Sequence, residues 1–136
     1  MTEVVLAKTE SIQRCVQRAR QELEAAGTNF ALDFTRQDAA ILNLTRACEQ
    51  SIDLANHLIR QRKLGLPKSA GNSFELLGRA QVIPLDLAEK LKRMVGFRNM
   101  AVHEYQDLNI EMLKSLISTS SSDLLLFTQI ILGTLK

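Results

Sequence analysis

Apolar residues recur at helical intervals almost from the first residue of this chain. Between Thr2 and Ala26, Val5, Ile12, Cys15 with Val16, Ala19, Leu23 and Ala26 follow steps of three, four and seven. That spacing is one stripe of an amphipathic helix, and Gly27 is placed to stop it. A second stripe, Ile41, Leu44, Cys48, Ala55, Leu58 and Ile59, predicts a helix from about Arg36 to Leu64. Thr35 and Asp38 in "TRQD" suggest a capping-box-like start, and Gly65 with Pro67 an end. The stretch "GLPKSAGNS" is a loop by composition, followed by a short helix from Ser73 to about Arg79.

Pro84 suits the first turn of a further helix, running from Leu85 through "RNMAVHEY" with Leu87, Leu91, Met94, Val95 and Val102 facing inward. Asn109 is placed to cap a last helix, Ile110 to Leu135, which "STSSSD" is placed to bend or interrupt. No run of period two bounded by turn signals occurs, so no strand is expected. The expected fold class is all-α, an up-and-down bundle of about five helices forming a single domain over residues 1–136.

Composition agrees, because only 6 Gly and 2 Pro interrupt 136 residues, and both residues disfavour helix interiors. The net charge of +2 supplies no overall field toward nucleic acid. Binding to a polyanion must therefore come from a local cluster. Cys15 and Cys48 both fall on apolar stripes, as expected of buried thiols in a reducing compartment, and too few ligands lie close together for a metal site. The N-terminus "MTEVVLAKTESIQ" lacks the basic start and long apolar centre of a signal peptide. The most apolar stretch, "LLLFTQIILGTL", is shorter than a membrane span and broken by Thr and Gln. A cytoplasmic protein with no membrane partner is expected.

The chemistry-bearing stretch is "RNMAVHEY", Arg98 to Tyr105, which holds an arginine, a histidine and the one tyrosine of the chain. Arginine offers a planar fork of donors suited to phosphate, and histidine exchanges a proton near neutral pH. Together they support metal-free RNA cleavage: His103 moves the proton of a ribose 2′-hydroxyl or of the leaving oxygen, while Arg98 stabilises the charge in flight. The chain has no evident carboxylate cluster for a two-metal nuclease. At about 100° per residue, Arg98 and Tyr105 share a face, whereas His103 lies roughly 140° round from Arg98. Either the helix unwinds before His103, or a second chain completes the site, as in a twofold dimer. The plainer reading is a helix C-terminus carrying cations that complement its dipole, with a tyrosine covering the edge of the core. Lys90, Lys92 and Arg93 serve either as local charge for a nucleic-acid backbone or as a solvated face.

"GFRNMAVHEY" resembles the R-x4-H-x-Y motif of the HepT toxins of the HEPN superfamily. The likeness extends, in order, through "DFTRQDAAILNLTRACEQSIDLANHLI", "KLGLPKSAGNSFELL" and "LKRMVGFRNMAVHEYQDLN", so it spans nearly the whole chain. The resemblance implies a cytoplasmic helical homodimer: a ribonuclease toxin that needs no cofactor and is paired with an MntA-type minimal nucleotidyltransferase antitoxin. It implies that Arg98 and His103 are the catalytic pair at the dimer cleft and that Asn99 supports the site. It further implies that Tyr105 receives AMP from the antitoxin, placing bulk and negative charge at the cleft. Glu104 stands where some relatives carry Asp. The alternative from the same resemblance is a bundle that has lost catalysis and serves as a nucleotide-binding or dimerisation partner of the transferase.

Other residues carry paired readings. Glu49 and Asp53 share a face of the second helix, and either orient Arg98 or His103 or form salt bridges to Arg46 or Arg60. His57 is a structural or solvated histidine unless it serves a site. "RQRK", Arg60 to Lys63, either meets RNA or the antitoxin, or completes a helix C-terminus. The terminal helix, with Leu124, Leu125, Leu126, Phe127, Ile130 and Ile131, is apolar over too wide an arc for one wet side, which makes it core or a subunit contact.

Overall fold

The computed structural model describes residues 2–103 and 108–135. Its elements are α1 (Thr2–Ala26), a 3₁₀ turn (Gly27–Asn29), α2 (Phe34–Arg62), α3 (Ala70–Arg79) and α4 (Leu85–His103). A terminal helix follows, made of α5 (Ile110–Ser115), a π-helical turn (Leu116–Ser120) and α6 (Ser121–Gly133). No strand occurs among the described residues. This is the expected all-α bundle.

The α1 stripe is buried at Val5, Ile12, Cys15, Val16 and Ala19. Gly27, in the left-handed region at φ +57, releases the chain from the helix. Phe30 then plugs the corner and is fully buried; its carbonyl accepts from Gln37 Nε2 at 2.7 Å. The start of α2 differs from the expected "TRQD" cap. Asp33 is the N-cap, its carboxylate accepting from the Arg36 backbone N–H at 3.1 Å, so the helix begins at Phe34. The far end comes at Lys63, itself left-handed at φ 56, two residues before Gly65.

α3 also starts earlier than expected, because Ser69 caps it through the Asn72 N–H. It lies across the first half of α4. Phe74 of α3 meets Phe127 of α6 edge to face, with ring centroids 5.7 Å apart, closing the core from that side. Ser73 Oγ donates to Asn56 Oδ1 at 2.6 Å and ties α3 to α2.

In α4, Leu87, Leu91, Met94 and Val95 face inward as expected, but Val102 does not: it is 57% exposed, and Ala101 is buried instead. Ala101 lies seven residues after Met94 and keeps that side of the helix against α2. No described element covers the Val102 edge at this end of α4. Gly96, in the middle of α4, carries the usual mid-helix cost of about 1 kcal/mol relative to alanine.

Asn109 caps α5, its side chain accepting from the Glu111 and Met112 N–H groups at 2.8 and 3.2 Å. The interruption expected at "STSSSD" takes the form of the π turn. There Ser121 Oγ donates back to the Ile117 carbonyl, and Arg20 of α1 reaches the same carbonyl and Ser121 Oγ. Polar groups inserted into the helical ladder widen it locally. The run Ile110–Gly133 is 24 residues and, by length and composition alone, apolar enough to cross a membrane. It is thus longer than the apolar stretch read from the sequence. Leu113, Ile117, Leu124, Phe127 and Ile131 from this run are buried in the core of the bundle.

A Cβ at Gly78 would stand 3.0 Å from Ala88 Cβ and 3.2 Å from Leu85 Cδ2, where α3 meets the start of α4. Gly78→Val should therefore destabilise the fold by about 2 kcal/mol through overpacking, read as a lowered midpoint in thermal unfolding followed by circular dichroism.

Candidate active site

The side chain of Arg98 leaves α4 toward α2 and sinks into the seam between them. Only 23% of it is exposed, and Nη1 donates to Glu49 Oε1 at 2.6 Å. Nε is buried without a partner among the described residues. Glu49 therefore pairs with Arg98, not with Arg46 or Arg60. The registry of the seam decides this. Cys48 Sγ donates to the Met94 carbonyl at 3.8 Å, which sets Glu49 opposite the next turn of α4. One turn further along α2, Asp53 meets Lys8 of α1 at 3.5 Å, so these two carboxylates serve different neighbours.

The seam also governs Cys48. Burial above all, and the Glu49 carboxylate after it, push its thiol up to about 12, against the opposing pull of Arg98. Cys15 is buried as well.

His103 closes α4 and is exposed, as is Asn99 one turn earlier. The helix remains regular through His103, so the roughly 140° between Arg98 and His103 persists. Unwinding before His103 is thus not how the two groups would meet. Tyr105 and Glu104 lie outside the described residues. Beside Arg98, a shallow groove lined by Asp38, Ile41, Leu42, Thr45 and Ala101 runs along the seam, with Leu42 half-exposed at its rim.

His57 sits about two turns further along α2 from Glu49, away from Arg98, with Nε2 buried and without a partner among the described residues. Burial, then nearby Arg60, hold its pKa below the ordinary value. The fold therefore favours its neutral form, and this contribution to stability is lost as pH falls through and below the ordinary histidine range. Arg60 and Arg62 complete the last turn of α2. No group of three or more His, Cys, Asp or Glu among the described residues is arranged to hold a metal ion.

Residues 10–131 match the family described as "Ribonuclease HepT-like". The chain belongs to the HepT-like ribonuclease family. It is 42% identical over 131 residues to the "mRNA nuclease HepT" of Shewanella oneidensis, covering 96% of this chain and 98% of that protein. It is 24% identical over 106 residues to the "tRNA nuclease HepT" of Aphanizomenon flos-aquae, covering 78% and 72%. Among solved structures, it is similar to the tri-AMPylated Shewanella oneidensis HEPN toxin in complex with MNT antitoxin. The TM-score is 0.92 at 41% identity, over 98% of this chain and 99% of that one.

Within this HepT-like bundle, the sequence motif is spread over two surfaces, one facing α2 and one facing outward. Glu49 is the member of the arrangement that spacing alone left between two readings, since its partner depends on how α2 slides against α4. The buried seam gives a direct check. At pH 8 the native protein should leave both cysteines unlabelled by a disulfide reagent over minutes, and denaturant should release both thiols. Rapid native labelling of Cys48 would contradict the packing around Arg98.

Proposed function

We propose that this chain is the toxin of a toxin–antitoxin pair, a metal-independent RNA endonuclease. Its catalytic residues are Arg98 and His103, and its active site is completed by a second copy of the chain. The observation that carries the reading is the continuity of α4: Arg98 is pinned inward on Glu49 while His103 points outward from the same rigid helix. A twofold axis beside the α2–α4 seam supplies the missing proximity, placing two arginines and two histidines around one cleft. The exposed apolar groups flanking the seam, Leu42 and Val102, give that contact something to bury. The similarity to an mRNA nuclease and a tRNA nuclease of the HepT family supports RNA as the substrate class, and a cytoplasmic location fits that substrate.

The reaction asks for three things. One histidine removes the proton of a ribose 2′-hydroxyl, whose oxygen attacks the adjacent phosphorus. Arg98 draws the developing negative charge of the phosphoryl oxygens. The second histidine returns a proton to the departing 5′-oxygen, leaving a cyclic phosphate and a free hydroxyl. Glu49 is the positioning residue: it fixes the plane of the Arg98 guanidinium through Nη1 and leaves Nη2 for phosphate. Asn99, exposed on the outward face, supports the bound strand. Asp53 faces Lys8 at 3.5 Å, one turn along α2 from the acid that meets Arg98.

The antitoxin is a minimal nucleotidyltransferase of the MntA type, and it switches the enzyme off by transferring AMP to Tyr105. Support comes from the AMPylated state and the MNT partner of the similar Shewanella oneidensis toxin. The modification adds a phosphodiester charge beside the residues meant to receive RNA. The whole chain acts as one HepT-like domain.

Purified protein should cleave single-stranded RNA in the presence of EDTA. His103→Ala should lower the rate by about 10³-fold, and full activity in that variant would sink the assignment. Glu49→Gln should lower kcat far more than it raises KM, with partial rescue by Glu49→Asp, and should cost about 1–3 kcal/mol of stability because the largely buried guanidinium loses its anionic partner. Intact mass after incubation with the antitoxin and ATP should rise by AMP increments that Tyr105→Phe abolishes.

A further inference from the structure

We propose that the outward face of α4 from Lys92 to His103 is a seat for the RNA backbone, and that Gly96 is where the strand lies directly against the helix. This rests on the reading of the chain as an RNA-cleaving enzyme and specifies where the substrate runs.

Gly96 is the first observation. It sits in the middle of α4, exposed, and a Cβ built there would meet no atom within 4 Å among the described residues. Its backbone is not in the left-handed region, so no turn requires glycine. Gly78 and Gly71 have neighbours that explain them: Ala88 and Leu85 for one, the stem of Lys92 for the other. Gly96 has none among the described residues. A glycine in an exposed helix interior leaves the backbone bare, so that a ligand can approach it more closely than any side chain would allow.

The second observation is the surface around it. Lys92, Gly96, Asn99 and His103 step by four, three and four, forming one row about 16 Å long. α3 covers this row as far as Lys92, where Glu75 meets the ammonium at 3.1 Å, and leaves it bare beyond. Arg93 stands beside the row, exposed and without an ion pair among the described residues. From Arg93 to His103, α4 carries no carboxylate.

Charge and polarity select the occupant. A subunit contact would need apolar surface to bury, and the exposed apolar groups near the site, Leu42 and Val102, lie outside this row. A row of cation, glycine, amide and imidazole complements a sugar–phosphate strand. Such a strand passes Arg93, closes onto the backbone at Gly96, and arrives at Asn99 and His103 with its scissile bond. A methyl group at Gly96 would hold it off the helix.

The test is binding of a fluorescein-labelled single-stranded oligoribonucleotide made uncleavable by 2′-fluoro substitution, followed by anisotropy across a salt series. Gly96→Ala should raise the melting temperature, since alanine favours the helix. It should also weaken RNA binding at least fivefold with no change in salt slope; Gly96→Leu should weaken it further. Arg93→Ala should lower the salt slope by about 0.7. Gly133→Ala, at the end of α6, should leave affinity unchanged. Affinity within twofold of the parent for Gly96→Ala and Gly96→Leu would overturn the proposal. So would a loss accompanied by dissociation of the dimer, which would make Gly96 a subunit contact. Gly96-dependent binding by a protein that never cleaves RNA would uphold the seat while removing the nuclease reading.

Discussion

A guanidinium cannot be sunk between two helices without an acid to meet it, and the seam between α2 and α4 is built around that requirement. Arg98 and Glu49 meet at 2.6 Å because the two helices are held in one registry. Ala47, Cys48 and Ser51 keep α2 slim where it buries, and Ser51 returns its hydroxyl to the Ala47 carbonyl. Slide the helices by one turn and Arg98 loses its acid while Cys48 loses the Met94 carbonyl. The rest of the bundle acts as a clamp on this registry: α1 backs α2 along its length, α3 braces the start of α4, and α6 closes the far side through Phe127.

In the proposed mechanism, this division lets one helix carry both a fixed and a free catalytic group. The arginine belongs to the core side of α4, where packing sets its direction before any substrate arrives. The histidine belongs to the wet side, where nothing in the described chain restrains it. Preorganisation of the charge-stabilising group and accessibility of the proton-transferring group are opposite demands, and they are met on opposite faces.

Much of the scaffold was legible in the sequence. The stripes of α1 and α2 gave their buried residues, and Asn109 and Gly27 gave two boundaries through their own chemistry. What could not be read were features set by contacts between distant segments. Asp33 displaced Thr35 as cap because an Asp–Phe–Thr–Arg run closes its first turn equally well, and the Phe30 plug fixed the choice. Ala101 rather than Val102 turned inward because hydrophobicity ranks the larger residue first while the seam admits only the smaller. The partner of Glu49 depended on interhelical registry, which one-dimensional spacing does not contain. Resemblance directed attention to Arg98 and His103; geometry added that they diverge.

The helix end at His103 and the Asn109 cap have a further consequence for control. Five residues separate these two anchored points, and Tyr105 is only two residues beyond His103, at most about 7 Å of extended chain. In the proposed regulation, a group esterified to that tyrosine is a tethered ligand, held by the chain at an effective concentration of order millimolar or above. It needs no affinity of its own to compete with RNA for the cleft. Inhibition by such a tether does not wash out on dilution, and it persists until the bond to the tyrosine is cut.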